Sequence, residues 1–216
     1  MDVLIVGGHG KIALRLERLL ADAGHTARGV IRNPDHAADL EAAGAAPITF
    51  DIEHDEGLAE HVRGADAVVF AAGAGPGSGP ARKETVDRGG AIKLIEACRE
   101  AGVSRYVIIS AISTDRPERW TEQMRPYYEA KAAADAAVRE SGLDYTIVRP
   151  GRLIDDPGTG RIAAAPVLED YGEVTRDDVA ATLLAVLETP STVGLTFDLL
   201  GGDVPIAEAV AALRAN

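Results

Sequence analysis

Short apolar runs alternate with helical periods along most of the chain. The first run, Val3-Leu4-Ile5-Val6, holds no polar side chain, the pattern of a parallel strand covered on both faces. Behind it a helix is predicted over 10–23, with Ile12, Leu16, Leu19 and Leu20 on one face and Gly24 as its stop. Further strands are predicted at 26–31, 46–50, 67–70, 106–109, 145–148 and 195–200. Between them fall a short helix opened by Pro34-Asp35 and closed by Gly44, a polar helix at 55–62 and a long helix at 82–101. Later helices are predicted at 126–141, stopped by Gly142, and at 176–188, with a short one reaching Leu213. The long helix is expected to bury Val86, Ile92, Ile95 and Cys98. Its Gly89-Gly90 pair costs about 1 kcal/mol per glycine relative to alanine, which points to close packing on a strand or a bound molecule. Residues 74–80 read as loop, 111–125 as irregular, and 152–172 as an open lobe or loop. Arg149-Pro150-Gly151 is expected to break the sixth strand. The alternation predicts an α/β fold: one domain over 1–216, built on a doubly wound parallel sheet of about seven strands with right-handed crossovers.

Composition narrows the class. The 22 basic against 34 acidic side chains leave a net charge of −12, which repels polyanions and excludes nucleic acid as a natural partner. No run approaches a membrane span, and the first strand begins at once, so neither a membrane nor a signal peptide is expected. Cys98 is the single cysteine; it forbids an intrachain disulfide, fits a reducing cytoplasm and reads as buried filler. The five histidines have no metal-ligand spacing, so no metal is expected.

In a doubly wound sheet, ligands bind at the carboxyl ends of the strands where strand order reverses. The candidate residues fall at such ends. The first is the turn Gly7-Gly8-His9-Gly10-Lys11-Ile12-Ala13. Gly7 allows a tight turn, Gly10 lets a diphosphate approach the backbone, and the new helix points free N–H groups at it. Gly7, Gly8, His9, Gly10, Lys11 and Ile12 are therefore candidate cofactor contacts; His9 reads equally as a solvated loop residue, and Lys11 more readily as a surface charge. Arg32 stands where an NAD-preferring protein usually carries an acid, and a guanidinium there attracts a 2′-phosphate, so NADP is expected over NAD. Asn33 adds a donor. Asp51, with Ile52 beside it, is placed either to accept from an adenine amino group or to cap a helix. Ala71, Ala72 and Gly73 are small enough for a ribose or nicotinamide to lie over them.

A second constellation is Tyr127-Tyr128-Glu129-Ala130-Lys131. Tyr127 and Lys131 are four apart and share a helix face. A nearby ammonium favours phenolate and is expected to lower the Tyr127 pKa towards a value useful for proton transfer to a carbonyl oxygen. Lys131 is also placed to hold a ribose. Ser110, with Ser113 as the alternative, is placed to orient a substrate oxygen, and Asp87 to orient groups near Lys131. Trp120, Tyr127 and Tyr128 fall close together, either lining a pocket or filling a gap. Arg116, Arg119 and Arg125 read as solvated charge.

With these residues in view, the chain resembles an atypical short-chain dehydrogenase/reductase. More narrowly, it is similar to the small NAD(P)-binding proteins labelled NAD-dependent epimerase/dehydratase, relatives of the flavin/biliverdin reductases. The resemblance rests on the glycine turn, Arg32-Asn33-Pro34, Val86 to Ala91, Ser110, Tyr127 to Lys131, and above all Ser141 to Gly151. It implies a Rossmann sheet of order 3-2-1-4-5-6-7, an NADP site on the glycine turn and Arg32, and an unevenly kept serine-tyrosine-lysine-asparagine tetrad. Tyr127 and Lys131 match its Tyr-x-x-x-Lys part, while Asp87 stands near where asparagine is usual. The expected function is that of an NADP-dependent oxidoreductase or epimerase for a small carbonyl or alcohol, in a monomer or homodimer. The alternative is a non-catalytic NADP(H) sensor.

Overall fold

Strand β1 (Asp2–Val6) lies between β2 (Thr26–Ile31) and β4 (Ala67–Phe70), each paired with it in parallel. The computed structural model describes residues 1–75 and 77–214; Pro76, within the expected loop at 74–80, and the last two residues lie outside it. The remaining elements are α1 (Lys11–Asp22), α2 (Ala37–Ala42), β3 (Ala45–Thr49), α3 (Leu58–Val62), and α4 (Pro80–Arg82), which runs through a π-helical segment, Lys83–Gly90, into α5 (Ala91–Ala101). Then come β5 (Arg105–Ile109), α6 (Arg125–Arg139), β6 (Asp144–Pro150), β7 (Arg152–Ile154), β8 (Arg161–Ala165), β9 (Glu173–Thr175), α7 (Arg176–Glu188), β10 (Leu195–Gly201), β11 (Val204–Pro205) and α8 (Ile206–Ala212).

The main sheet has the order β3-β2-β1-β4-β5-β6-β10, as expected for a doubly wound fold, and continues into antiparallel β8 and then β11. The chain winds outward from β1 to β3 and returns at β4 beside β1. The crevice at the carboxyl ends of β1 and β4 is thus the switch point. Side chains alternate across each strand, so Val3 and Ile5 enter one core with α1, α7 and α8. Leu4 and Val6 enter the other, with α3, α5 and α6.

Three differences from the sequence-based expectation stand out, whereas the close packing of the glycine pair and the burial of Cys98 are as expected. Strand β6 does not break at Arg149; it runs on to Pro150, because the Arg149 guanidinium meets Asp135 at 3.2 Å and Asp115 at 2.7 Å and can be buried. The expected open lobe at 152–172 instead contributes β7, and β8 pairs with β10 from Ile162↔Gly201 to Ala165↔Asp198. In the long helix Ile92 is only partly buried, and Ala91, Leu94 and Ala97 join Val86, Ile95 and Cys98 inside. The glycine pair sits where a helix turn widens: a Cβ on Gly90 would lie 3.1 Å from Ile52 and 3.3 Å from Phe70. Cys98 is buried, and burial pushes its thiol up to about 12.

Candidate functional site

The turn after β1 is closed by its own backbone. The Gly10 N–H donates to the Gly7 carbonyl at 2.8 Å, and the Gly7 and Gly8 N–H groups both donate to the Val30 carbonyl, at 3.2 and 2.9 Å. Gly7 has φ +88°, and a Cβ there would stand 2.7 Å from the Ala72 Cα. The turn therefore touches the end of β4 backbone to backbone, an approach that needs glycine. Helix α1 begins after Gly10 with no side-chain cap and no acid in its first turn. Its opening N–H groups lack intrahelical partners and its dipole is unopposed, a combination that receives anions.

A cavity of about 390 Å³ opens in front of this turn. Gly7, His9 and Gly10 of the turn line it, with Ala71, Ala72 and Gly73 from the loop after β4 and Arg32, Asp51 and Ile52 from beyond β2 and β3. The remaining expected contacts point elsewhere. Gly8 backs onto Gly29, whose Cα lies 2.9 Å from where a Gly8 Cβ would be. Lys11 Nζ pairs with Asp155 at 2.6 Å, a surface pair. Ile12 is buried in the core. Asn33 Oδ1 accepts from the Asp35 N–H at 3.1 Å and caps the turn there. Asp51 also caps its own turn, accepting from the Glu53 N–H at 2.9 Å and from His54 at 3.1 Å. Burial pushes its carboxyl up, but those hydrogen bonds outweigh it and the group stays below the usual carboxylate range.

The cavity also brings in residues that the sequence left unassigned. His36 stacks on His9, ring centroids 3.6 Å apart, while His9 Nε2 reaches Asp39 at 2.8 Å. Glu53, Arg82 and Val86 close the far wall. Their sequence signal is position alone, just past β3 and at the head of the helix after β4. The site fits a dinucleotide on its own geometry: an uncapped helix N-terminus, a turn with no Cβ in the way, and in the same cavity Arg32, whose side chain is 59% exposed and whose ion-pair partner Glu53 is 3.9 Å away. Gly7, Gly10 and the α1 N-terminus would hold the diphosphate, and Arg32 would face the adenosine ribose.

The second constellation is differently wired from the expectation. Lys131 Nζ lies 3.2 Å from Asp87 Oδ1 and donates to the Ile109 carbonyl at 3.1 Å. Both side chains are buried. Asp87 Oδ2 in turn accepts from the Ala74 N–H at 3.1 Å, so the pair ties the loop after β4 to α6. The ammonium is thus spoken for by a carboxylate. Tyr127 is accordingly not lowered: burial raises its hydroxyl above the usual tyrosine value, and the charges of Asp87 and Asp135 add to this. The expected phenolate is replaced by a held proton. Ser110 Oγ is buried with no hydrogen-bond partner among the described residues. Ser113 is buried with φ +67°, the left-handed region, and its carbonyl accepts from Trp120 Nε1 at 2.7 Å.

Of the three arginines expected to be solvated, Arg119 and Arg125 are exposed, while Arg116 is largely buried. Arg116 pairs with Asp198 at 2.7 Å and donates to the Leu168 carbonyl at 2.9 Å. Arg119 meets Glu169 at 2.9 Å, and Arg125 lies over Trp120 at 5.9 Å. Trp120 stacks on Tyr128, centroids 5.6 Å apart, and Tyr127 meets Tyr128 edge-on at 5.4 Å. These contacts join residues 111–125 to 166–172 as one wall beside Tyr127.

Known proteins resemble the chain over nearly its whole length. The uncharacterized sugar epimerase YhfK of Bacillus subtilis is 43% identical over 97% of this chain and 99% of its own length. A Bacillus halodurans structure described as an NAD-dependent epimerase/dehydratase superimposes with a TM-score of 0.93 at 37% identity, covering 97% of this chain and 98% of its own. The oxidoreductase ylbE of Lactococcus lactis matches with a TM-score of 0.86 at 28% identity, over 97% and 95% of the two chains. The family model for NAD(P)H-binding proteins matches residues 7–190, from the glycine turn to the end of α7. The chain belongs to the NAD(P)H-binding family, and its relatives there are described as epimerases and oxidoreductases.

Proposed function

We propose that the protein is an NADP(H)-dependent oxidoreductase or epimerase acting on a small carbonyl or alcohol. The observation that carries this reading is the glycine turn and uncapped α1 with exposed Arg32 lining the same cavity. A guanidinium there binds a phosphoryl group bidentately, where an acid would repel it. When bound, the cofactor supplies or takes up the hydride. The chain's own groups handle the proton and the positioning. Tyr127, kept protonated by burial, gives its proton to the substrate oxygen as charge develops there. Ser110 Oγ, buried and unpartnered among the described residues, is the hydroxyl free to orient that oxygen. Lys131, paired with Asp87, holds the loop after β4 against α6 and leaves the local charge balanced.

Tyr127→Phe is expected to lower kcat for NADPH-dependent carbonyl reduction by about a hundredfold or more, the lower end of general-acid effects, with the affinity for NADPH unchanged. Because Tyr127 is raised, the wild-type rate should not fall as pH rises towards the ordinary tyrosine value of about 10. A steady-state pH profile across a carbonyl panel checks both, and an unchanged Tyr127→Phe rate defeats the tyrosine role. A second reading, a sensor of the NADP/NADPH ratio, is favoured by one feature: Lys131 is engaged by Asp87. It predicts tight nucleotide binding and no NADPH oxidation with any member of the panel.

A further inference from the structure

Two guanidiniums from separate elements meet one carboxylate at the adenosine end of the cavity. Arg82, the last residue of α4, donates to Glu53 Oε2 at 2.9 Å, and Arg32 NH1, beyond β2, lies 3.9 Å from that same oxygen. Thr85 Oγ1 fixes the other oxygen, donating to Oε1 at 2.7 Å. The Glu53 side chain is 11% exposed, so it is a fixed post rather than a roaming surface acid. Burial pushes its carboxyl up, yet the hydrogen bonds from Thr85 and Arg82 prevail and keep it ionised. Arg32 and Arg82 both line the cavity, at 59% and 38% side-chain exposure, so their free donors face solvent there.

Two guanidiniums face two carboxylates here, Glu53 and Asp51, so what the rim offers an anion is the free N–H donors of the guanidiniums rather than a surplus of charge. A phosphate monoester carries close to two negative charges near neutral pH and presents three acceptor oxygens. One guanidinium matches two of those oxygens and half of that charge; a second completes both. We propose that Arg82 is a second reader of the 2′-phosphate of NADP, acting beside Arg32 and held in register by Glu53. The proposal rests on the assignment of Arg32 above. It explains the position of α4, whose entry at Pro80 brings Arg82 to the cavity rim just ahead of the π-helical segment.

The test uses fragments that differ only in the phosphate. Calorimetric affinities for 2′,5′-ADP and for 5′-AMP are measured on the wild type, Arg32→Ala, Arg82→Ala and Arg82→Lys. The wild type is expected to prefer 2′,5′-ADP, and each alanine variant to cut that preference by about tenfold while AMP binding stays within about twofold. Arg82→Lys should keep part of the preference, since it retains charge without the fork. If Arg32→Ala removes the preference and Arg82→Ala leaves it intact, the Arg82 proposal is overturned and the Arg32 assignment stands. If Arg82→Ala weakens both fragments equally, Arg82 stacks on the adenine or closes the site, and the proposal is overturned. A wild type with no preference overturns both. Melting curves of all variants confirm that the folded state is compared throughout.

Discussion

Glu17→Leu stabilises the protein, raising its melting temperature at pH 7 by on the order of 6–12 °C. Glu17 lies on α1 beneath the glycine turn, fully buried, with neither carboxyl oxygen hydrogen-bonded among the described residues. Its Oε1 is 3.0 Å from where a Gly8 Cβ would stand and 2.5 Å from where a Gly29 Cβ would, so glycines make room for it. Burial raises its pKa from 4.5 to about 8. The unfolded chain releases this proton near the ordinary value, whereas the folded chain holds it until about pH 8. Between those two values stability falls as pH rises, and by pH 7 the loss reaches about 3 kcal/mol. Below the ordinary carboxylate pKa the term is fully favourable, and above about pH 8 it has run its course. Leucine removes both the charge and the pH slope. Thermal unfolding of wild type and variant from pH 4 to 9 reads this directly. A variant that melts no higher and keeps the wild-type slope would show that Glu17 is not the source.

The second large effect is expected at the buried pair. Asp87→Ala leaves the Lys131 ammonium enclosed with only the Ile109 carbonyl as its recorded partner, and also frees the Ala74 N–H. Removing one partner of a buried ion pair costs about 3–5 kcal/mol, because an uncompensated charge remains. Asp87→Leu combined with Lys131→Met should recover much of that loss, since neither charge is then left alone. Denaturant unfolding of the single and double variants separates the two cases. A single-variant loss below about 1 kcal/mol, the range of exposed pairs, would mean that water reaches the pair in solution.

The fold was legible wherever one apolar period met one clear stop. The strands at 26–31 and 67–70 and the helix at 176–188 stand as the pattern predicts them, because Gly, Pro and charged residues bound each of them. Glu17 was not legible, since a charged residue beside a buried stripe reads as solvated and no local signal marks the packing of glycines over it. Strand β8 was hidden by its sequence, Arg-Ile-Ala-Ala-Ala, which lacks strand propensity; its pairing with β10 decides it. Arg149 reads as a break and is instead buried, because its carboxylates come from distant segments. The lining by Gly7, Gly10 and Arg32 could be placed from strand ends alone. Arg82 and Glu53 could not, as their meeting depends on how the long helix enters past β4. The Tyr127–Lys131 spacing was correct as helix geometry and Asp87 lies by Lys131 as expected, but the sequence did not show that this carboxylate takes the ammonium.

Everything proposed for the site depends on the turn between β1 and α1 receiving a diphosphate. Gly10 has φ −66°, which any residue adopts, and its Cβ would stand 3.1 Å from the Gly7 carbonyl oxygen, so a side chain there moves the turn by a few tenths of an ångström at the head of α1. The decisive measurement is calorimetric titration of NADP+ into the wild type and Gly10→Val, with melting curves alongside. One nucleotide should bind per wild-type chain, and the variant should stay folded while losing about a hundredfold in affinity, equivalent to about 3 kcal/mol of phosphate contact. Undiminished binding by a folded Gly10→Val, or no binding by the wild type, would contradict the assignment of that turn.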